Sequence, residues 1–441
     1  MEDIILKLKG ISVNSNNIQI ITEPSSFYRE LTDQSQRAKD RISISTLYLG
    51  DGDLEKNLVS KIEENLVSNP KLKVSFLIDF LRGTRGQAAE KSSTSLLKRI
   101  ADRAEIYLYH SPDLRAFFKR TLPERTNEII GLQHMKLYIF DDNVLISGAN
   151  LSDSYFTNRQ DRYILFKNSP ELADFFVKII EVVGKSSFTL QSNGDTELSY
   201  DCTVHPFQGV YADYIKLLKE RIEEVINSFD SKSSNSDTMV YPLLQMGPYG
   251  INQEKDFLEA LFSLKEKNLN LIMASGYFNT TKEYEELIFE KGTYDLDIIT
   301  AAPEANGFFG ANGLSKYIPS MYSHISKTFL DQAVTFNRNI KLFEYKRQDW
   351  TFHAKGIWME TPKFTATLIG SSNYGYRSVH RDLEAQLLLV TTCPKLRSRL
   401  REEHTLISNF SSVLDVTALR RAEHHVPALV KVISKLIRNF F

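Results

Sequence analysis

The chain has 441 residues, with 54 Lys or Arg against 55 Asp or Glu and a formal net charge of -1. That length exceeds what one compact core usually holds, so two domains or a duplicated unit are expected. The balanced charge excludes the global field that draws a protein to nucleic acid, and no apolar run reaches the ~20 residues that span a bilayer.

The start, MEDIILKLKG, has neither the basic-then-apolar order of a secretory signal nor the Arg/Ser-rich composition of a transit peptide, so no transit peptide is expected within this chain. Strand patterns follow at RISISTLYL (41–49) and KVSFLIDF (73–80), separated by a helix over 54–67 with apolar residues three and four apart. Directly after the second strand comes LRGTRG (81–86). Its glycines permit close backbone approach, and Arg82 and Arg85 can clamp a phosphate, although a solvated basic turn has the same composition. A further strand pattern, LQHMKLYIF (132–140), carries His134 and Lys136 two residues apart.

The serine-rich NSFDSKSSNSDT (227–238) is expected as a flexible surface loop, and YADYIKLLKERIEEVI (211–226) as a helix opening the second unit. Helix 255–267, strand 269–278, helix 282–291 and strand 294–303 then repeat the order of the first half. Alternating strands and helices predict an α/β sheet covered by helices in each half. The expected division is 1–190, 191–415 and a C-terminal segment 416–441. In that last segment Lys431, Lys435 and Arg438 lie opposite Leu429, Val432, Ile433, Leu436 and Phe440, a basic amphipathic helix suited to an anionic membrane interface. Cys202 and Cys393 form neither a metal-ligand spacing nor a disulfide framework.

The chemistry concentrates in two matched stretches. The first runs His134, Lys136, Asp141, Ser147, Gly148, Asn150, Asp161; the second runs His353, Lys355, Glu360, Gly370, Ser371, Asn373, Glu384. In both, the acid follows the histidine by seven residues, and eleven residues separate the asparagine from the distant acid. Residues i and i+2 of a strand share a face, so each His/Lys pair points at one place, and a duplicated fold can bring two such places together. Two imidazoles facing a phosphorus supply a nucleophile and a general acid and base, while lysines and asparagines hold the equatorial oxygens. No metal is required. Asp161 and Glu384 are the candidate carboxylates on the far ring nitrogens, where they would fix the tautomer. One such match is weak, since a strand histidine is more often a satisfied core or surface residue; two copies in matched order within a repeat are hard to produce by chance.

These paired H-x-K-x4-D and G-S-x-N motifs resemble those of the phospholipase D superfamily, over about residues 25–400. Within it, FLIDFLRGTRG, PERTNEIIGLQHMK and SGANLSDSYFTNRQDRY are similar to the eukaryotic phosphatidylglycerophosphate synthases. The resemblance implies a duplicated fold of two mixed-sheet α/β halves related by a pseudo-two-fold, with one active site at their interface. It implies transfer of a phosphatidyl group from CDP-diacylglycerol to glycerol 3-phosphate, without cofactor or metal, by a peripheral enzyme of the mitochondrial inner membrane. By the same resemblance His134 is the nucleophile and His353 the acid and then base, with Lys136, Lys355, Asn150, Asn373 and Ser371 on the phosphoryl oxygens. Asp141 and Glu360 rank below them, because the motif acid in that superfamily is chiefly a structural ion-pair partner. Two departures stand out: Ser-Gly-Ala-Asn in the first turn, and Glu360 for aspartate. The loop AAPEANGFFG (301–310), where LRGTRG has its counterpart, offers Phe308 and Phe309 instead of arginine, which suits a lipid arm. Rival readings are another phosphatidyltransferase such as a cardiolipin or phosphatidylserine synthase, a phosphodiesterase of the superfamily using water, and a lipid-binding scaffold. Intact His-x-Lys pairs in both halves speak against the scaffold, and the lack of a basic, aromatic-interleaved groove signal speaks against nucleic acid. Oligomeric state is not legible.

Overall fold

A computed structural model describes residues 1–115, 130–229 and 236–415, with a few residues beyond 415. In the first half, parallel strands Glu105–Tyr109, Lys73–Asp79 and Arg41–Ser45 continue antiparallel through Leu137–Phe140, Asn143–Ser147, Tyr163–Phe166 and Ile18–Ile21. The second half repeats this order as Ile340–Tyr345, Asp295–Ala301, Asn270–Ser275, Lys355–Glu360, Thr365–Gly370, Leu383–Thr391 and Thr238–Met246. The fold is therefore a duplicated mixed α/β unit.

Helix Asp53–Ser68 illustrates the local logic, because Leu58, Val59, Ile62 and Leu66 recur at helical spacing and all turn inward. Between the halves lies a shared core in which Leu77, Leu137 and Ile146 of one sheet meet Leu244, Ile369 and Leu387 of the other. Burial of this inner layer fuses the two units into one body.

Several expectations change. Residues 1–13 belong structurally to the second half, since Ile11–Ser12 pairs with Thr238–Met246 and Ile5 packs among Phe257 and Leu258. The hairpin Phe188–Leu190 with Thr196–Leu198 extends the first sheet across the expected boundary at 190. Helix Tyr211–Ser228 packs on helix Pro170–Gly184 of the first half, burying Tyr214, Leu218 and Ile222. LQHMKLYIF is strand only over Leu137–Phe140, because the backbone around His134 turns its hydrogen bonds to the other half.

The expected C-terminal helix lies largely outside the described residues. Among those described, His424 bonds Glu344 at 2.8 Å, Val430 and Ser434 are buried, and Arg438 donates to Asn279, Thr280 and Glu285. Arg438, expected on a membrane-facing stripe, is instead a bond donor to its own protein. Among the described residues no helix is long and apolar enough to cross a membrane.

Candidate active site

The two motifs meet at the seam, and each is held there by the opposite half. Thr351–Phe352 pairs in parallel with Arg159–Gln160, and the His353 N–H donates to Gln160 O at 2.8 Å. Symmetrically, Gln133 bridges Leu383, and the His134 N–H donates to Leu383 O at 2.9 Å. Both histidines are buried.

The carboxylates are exchanged between halves. His134 Nδ1 lies 3.0 Å from each oxygen of Glu384, and His353 Nδ1 lies 2.7 Å from Asp161 Oδ2. With Nδ1–H donated to a carboxylate, Nε2 is the nitrogen left to act on a substrate. The Ser371 hydroxyl donates to Glu384, and the Tyr155 hydroxyl stands 3.2 Å from His353 Nε2. Lys136 Nζ donates to His134 O at 2.6 Å; Lys355 Nζ donates to His353 O at 3.1 Å and also reaches the ring. Asn150 donates to the Tyr155 hydroxyl at 3.2 Å, while the side-chain oxygens of Asn150 and Asn373 are buried without a partner.

Burial dominates the electrostatics. It lowers the pKa of His134 against the opposing pull of Glu384, and lowers that of His353 further with help from Lys355 and Arg159. Both rings are thus held neutral near pH 7. Burial likewise brings Lys355 down to about 8 and pushes Asp161 up to about 6. On Glu384 burial acts upward, but its pairing with His134 and the charge of Lys136 outweigh it, leaving that carboxyl below its ordinary value.

Residues 31–182 match the domain described as "Cardiolipin synthase, PLD-like domain". Over 97% of its length the chain is 40% identical to the mitochondrial CDP-diacylglycerol--glycerol-3-phosphate 3-phosphatidyltransferase of Gallus gallus and 39% identical to that of Homo sapiens, covering 84% of each. The chain belongs to this phosphatidyltransferase family. A probable family enzyme of Dictyostelium discoideum is 40% identical over 89% of this chain and 72% of its own. The crystal structure of phosphatidylserine synthase from Haemophilus influenzae Rd KW20 superposes with a TM-score of 0.78 at 20% identity, covering 100% of this chain and 99% of that one, and shares the duplicated phospholipase D-like fold.

Within this phosphatidyltransferase fold not every expected residue reaches the seam. Asp141 accepts from the backbone N–H groups of Lys39, Asp40 and Arg41 at 2.8–3.1 Å, and Glu360 pairs with Arg401 at 2.6 Å on the surface. Both of these catalytic candidates thus lie away from the seam, bonded to their own half. The stretch LRGTRG is a helical turn, Phe80–Thr84, capped by Asp79, in which Arg82 lies over the Tyr48 ring at 4.4 Å and Arg85 stands at the end. Unforeseen were Tyr155, Arg159 and Tyr277, the last edge-on to His353 at 5.6 Å. Also unforeseen was Arg162, wholly buried and paired with Glu403 across the seam at 2.8 Å. Sequence shows the first two only as polar residues within SYFTNRQDRY. His134, Asp382 and Glu384 are near enough together to be weighed as cation ligands. Arg377 already pairs with Asp382 at 3.1 Å, and Glu384 is already bonded by His134 and Ser371 and faces the charge of Lys136, so protein groups occupy both carboxylates.

Proposed function

We propose that the chain transfers the phosphatidyl group of CDP-diacylglycerol to glycerol 3-phosphate, giving phosphatidylglycerophosphate and CMP. The observation that carries this is the pair of buried imidazoles, each with Nδ1 tied to a carboxylate of the other half and Nε2 left free of carboxylate. Neutral His134 attacks the phosphatidyl phosphorus through Nε2; the bond from phosphorus to the CMP oxygen breaks, and His353 gives that oxygen a proton. In the second step a glycerol 3-phosphate hydroxyl loses its proton to His353 as its oxygen attacks the same phosphorus, and the bond to His134 breaks. At rest His353 is kept neutral by burial and then by Lys355 and Arg159. A bound phosphate anion neutralises those cations and raises the imidazole towards the protonated state the first step needs. Lys136, Lys355, Asn150 and Asn373 hold the phosphoryl oxygens, with both asparagine oxygens fixing their amides by the groups a substrate brings.

The lipid arm is assigned to Phe308 and Phe309, exposed by 36% and 61%, with Phe308 packed on Tyr277 at 5.9 Å. Exposed aromatics beside the site supply a peripheral membrane contact. The mitochondrial relatives support the same compartment here.

The test is release of CMP from CDP-diacylglycerol in detergent by the purified chain. Release should be slow alone, accelerate with glycerol 3-phosphate, and survive EDTA. Rapid release without an acceptor makes the chain a hydrolase; no release under any condition leaves a scaffold.

A further inference from the structure

Arg159 sits in the strand that fixes His353. It pairs in register with Thr351, its Nε donates to Thr351 Oγ1 at 3.0 Å, and the next residue accepts the His353 N–H. Its guanidinium lies over the Tyr155 ring, with Cζ 4.5 Å from the centroid, and the Tyr155 hydroxyl is 3.2 Å from His353 Nε2. Reacting nitrogen, tyrosine and arginine are thus successive neighbours. Tyr48, which carries Arg82 on its ring, is near enough to interact with Arg159 as well. Among the described residues no carboxylate is in ion-pair range of Arg159, so this partly buried cation has no protein counter-ion. Such a cation at a substrate site calls for an anion.

The repeat shows that this charge is specific to one side. Arg159 stands nine residues after Asn150, and the residue nine after Asn373 is Asp382; Tyr155 likewise corresponds to Ser378. On the His134 side the position is therefore acidic and already matched by Arg377. Of the two equivalent positions of the repeat, the one on the His353 side carries the cation, and His353 is the ring that takes the acceptor's proton in the mechanism above.

We infer that Arg159 binds the phosphate of the acceptor and makes the chain select a phosphorylated alcohol over an unphosphorylated one. This rests on the transferase reading. A hydroxyl at His353 Nε2 and a phosphate at Arg159 are the two ends of one short polyol phosphate, with Tyr155 between them. The guanidinium can meet the phosphate through its two terminal nitrogens, because Nε is already committed to Thr351.

The experiment compares Arg159→Gln with the unaltered enzyme in two assays: acceptor kinetics with glycerol 3-phosphate and with glycerol, and exchange of labelled CMP into CDP-diacylglycerol without acceptor. Expected are a fall in kcat/KM for glycerol 3-phosphate on the order of 100-fold, carried mainly by KM, and a much smaller change in CMP exchange, which reports what the lost charge does to His353 alone. Use of glycerol should change only as far as CMP exchange does, so the preference for the phosphorylated acceptor, taken as the ratio of the two kcat/KM values, collapses. Thr351→Val, which frees the guanidinium without removing it, should raise the same KM by a smaller factor and serves if Arg159→Gln does not fold. An unchanged KM in both variants overturns the inference, as does CMP exchange falling in parallel with transfer. If the unaltered enzyme itself shows no glycerol 3-phosphate-dependent release, it is the transferase reading that fails.

Discussion

The two halves place the same parts at the seam but surround them differently. Around His353 the first half supplies Tyr155 and Arg159, whereas the second half has Ser378 and Asp382 at the corresponding positions, with Asp382 beside His134. Gly148 and Ser371 differ for a steric reason: a Cβ at Gly148 would fall 2.9 Å from the Lys355 side chain and 2.8 Å from Asp161 Oδ1. The glycine therefore lets Lys355 reach the His353 ring, while Ser371 supplies Glu384 with a hydroxyl. Duplication thus provides a symmetric scaffold of two rings and two crossed carboxylates. The substitutions around it separate the histidines into a ring on which Lys355 and Arg159 both act and a ring on which Lys136 acts against the pull of Glu384. That difference is the physical basis for giving His353 the anionic, proton-transferring partners and His134 the attack on phosphorus.

The sharpest way to break this comparison is to remove each ring in turn. His134→Ala and His353→Ala should each lower transfer by at least about 10^4-fold, since a nucleophile and an acid-base group have no nearby substitute. The variants should differ in what they trap. With radiolabelled donor lipid, His353→Ala should still accumulate labelled protein because His134 remains, and His134→Ala should not. Label retained by His134→Ala and absent from His353→Ala would exchange the two roles and detach Arg159 from the acceptor step.

A smaller effect separates the two carboxylates. Burial holds Asp161 up at about 6, whereas Glu384 is kept below its ordinary value by His134 and Lys136 despite its burial. As pH falls through about 6, Asp161 gains a proton and ceases to hold the His353 imidazolium, so transfer should drop about tenfold per unit below that point. Above about 8 Lys355 loses its charge and a second decline should begin. In Asp161→Asn the acidic decline should vanish from a profile lowered throughout; in Glu384→Gln it should persist. An acidic decline that survives Asp161→Asn would assign it to another group.

Much of this was legible in the sequence, for definite reasons. A histidine and lysine two apart in an apolar run, repeated with the same distant acid, require a buried polar site whatever the fold. Alternation of periods 3.6 and 2 in the same order made the duplication visible. The crossing of the carboxylates was not visible, because Asp161 and Glu384 each follow the motif of their own half and only the seam hands them to the other ring. Nor did Arg162 announce itself: it opens the run RYILF as a lone charge, and its partner Glu403 lies on a helix of the other half. The N-terminal residues misled because adjacency in sequence favours packing on the nearest unit, whereas Ile11 and Ile5 found their apolar partners across the seam.

The smallest effect concerns the acids seven residues after each histidine, where the halves also differ. Asp141 has a positive φ of 52° and gathers three backbone N–H groups of the turn at 39–41, much as a capping side chain serves a helix. Glu360 pairs with Arg401 with 40% of its side chain exposed, a geometry in which solvent screens most of the attraction. Asp141→Asn keeps a residue tolerant of that backbone and should still lose about 1 kcal/mol of stability, since one of the two acceptor oxygens becomes a donor facing donors. Glu360→Ala should shift stability by no more than about 0.5 kcal/mol. Denaturant midpoints measure both, and kcat should stay within about twofold of the unaltered enzyme in either case. A large loss of kcat at unchanged stability in Asp141→Asn would return that acid to the chemistry. It would also mean that the seam, where neither acid lies, is not the whole of the site.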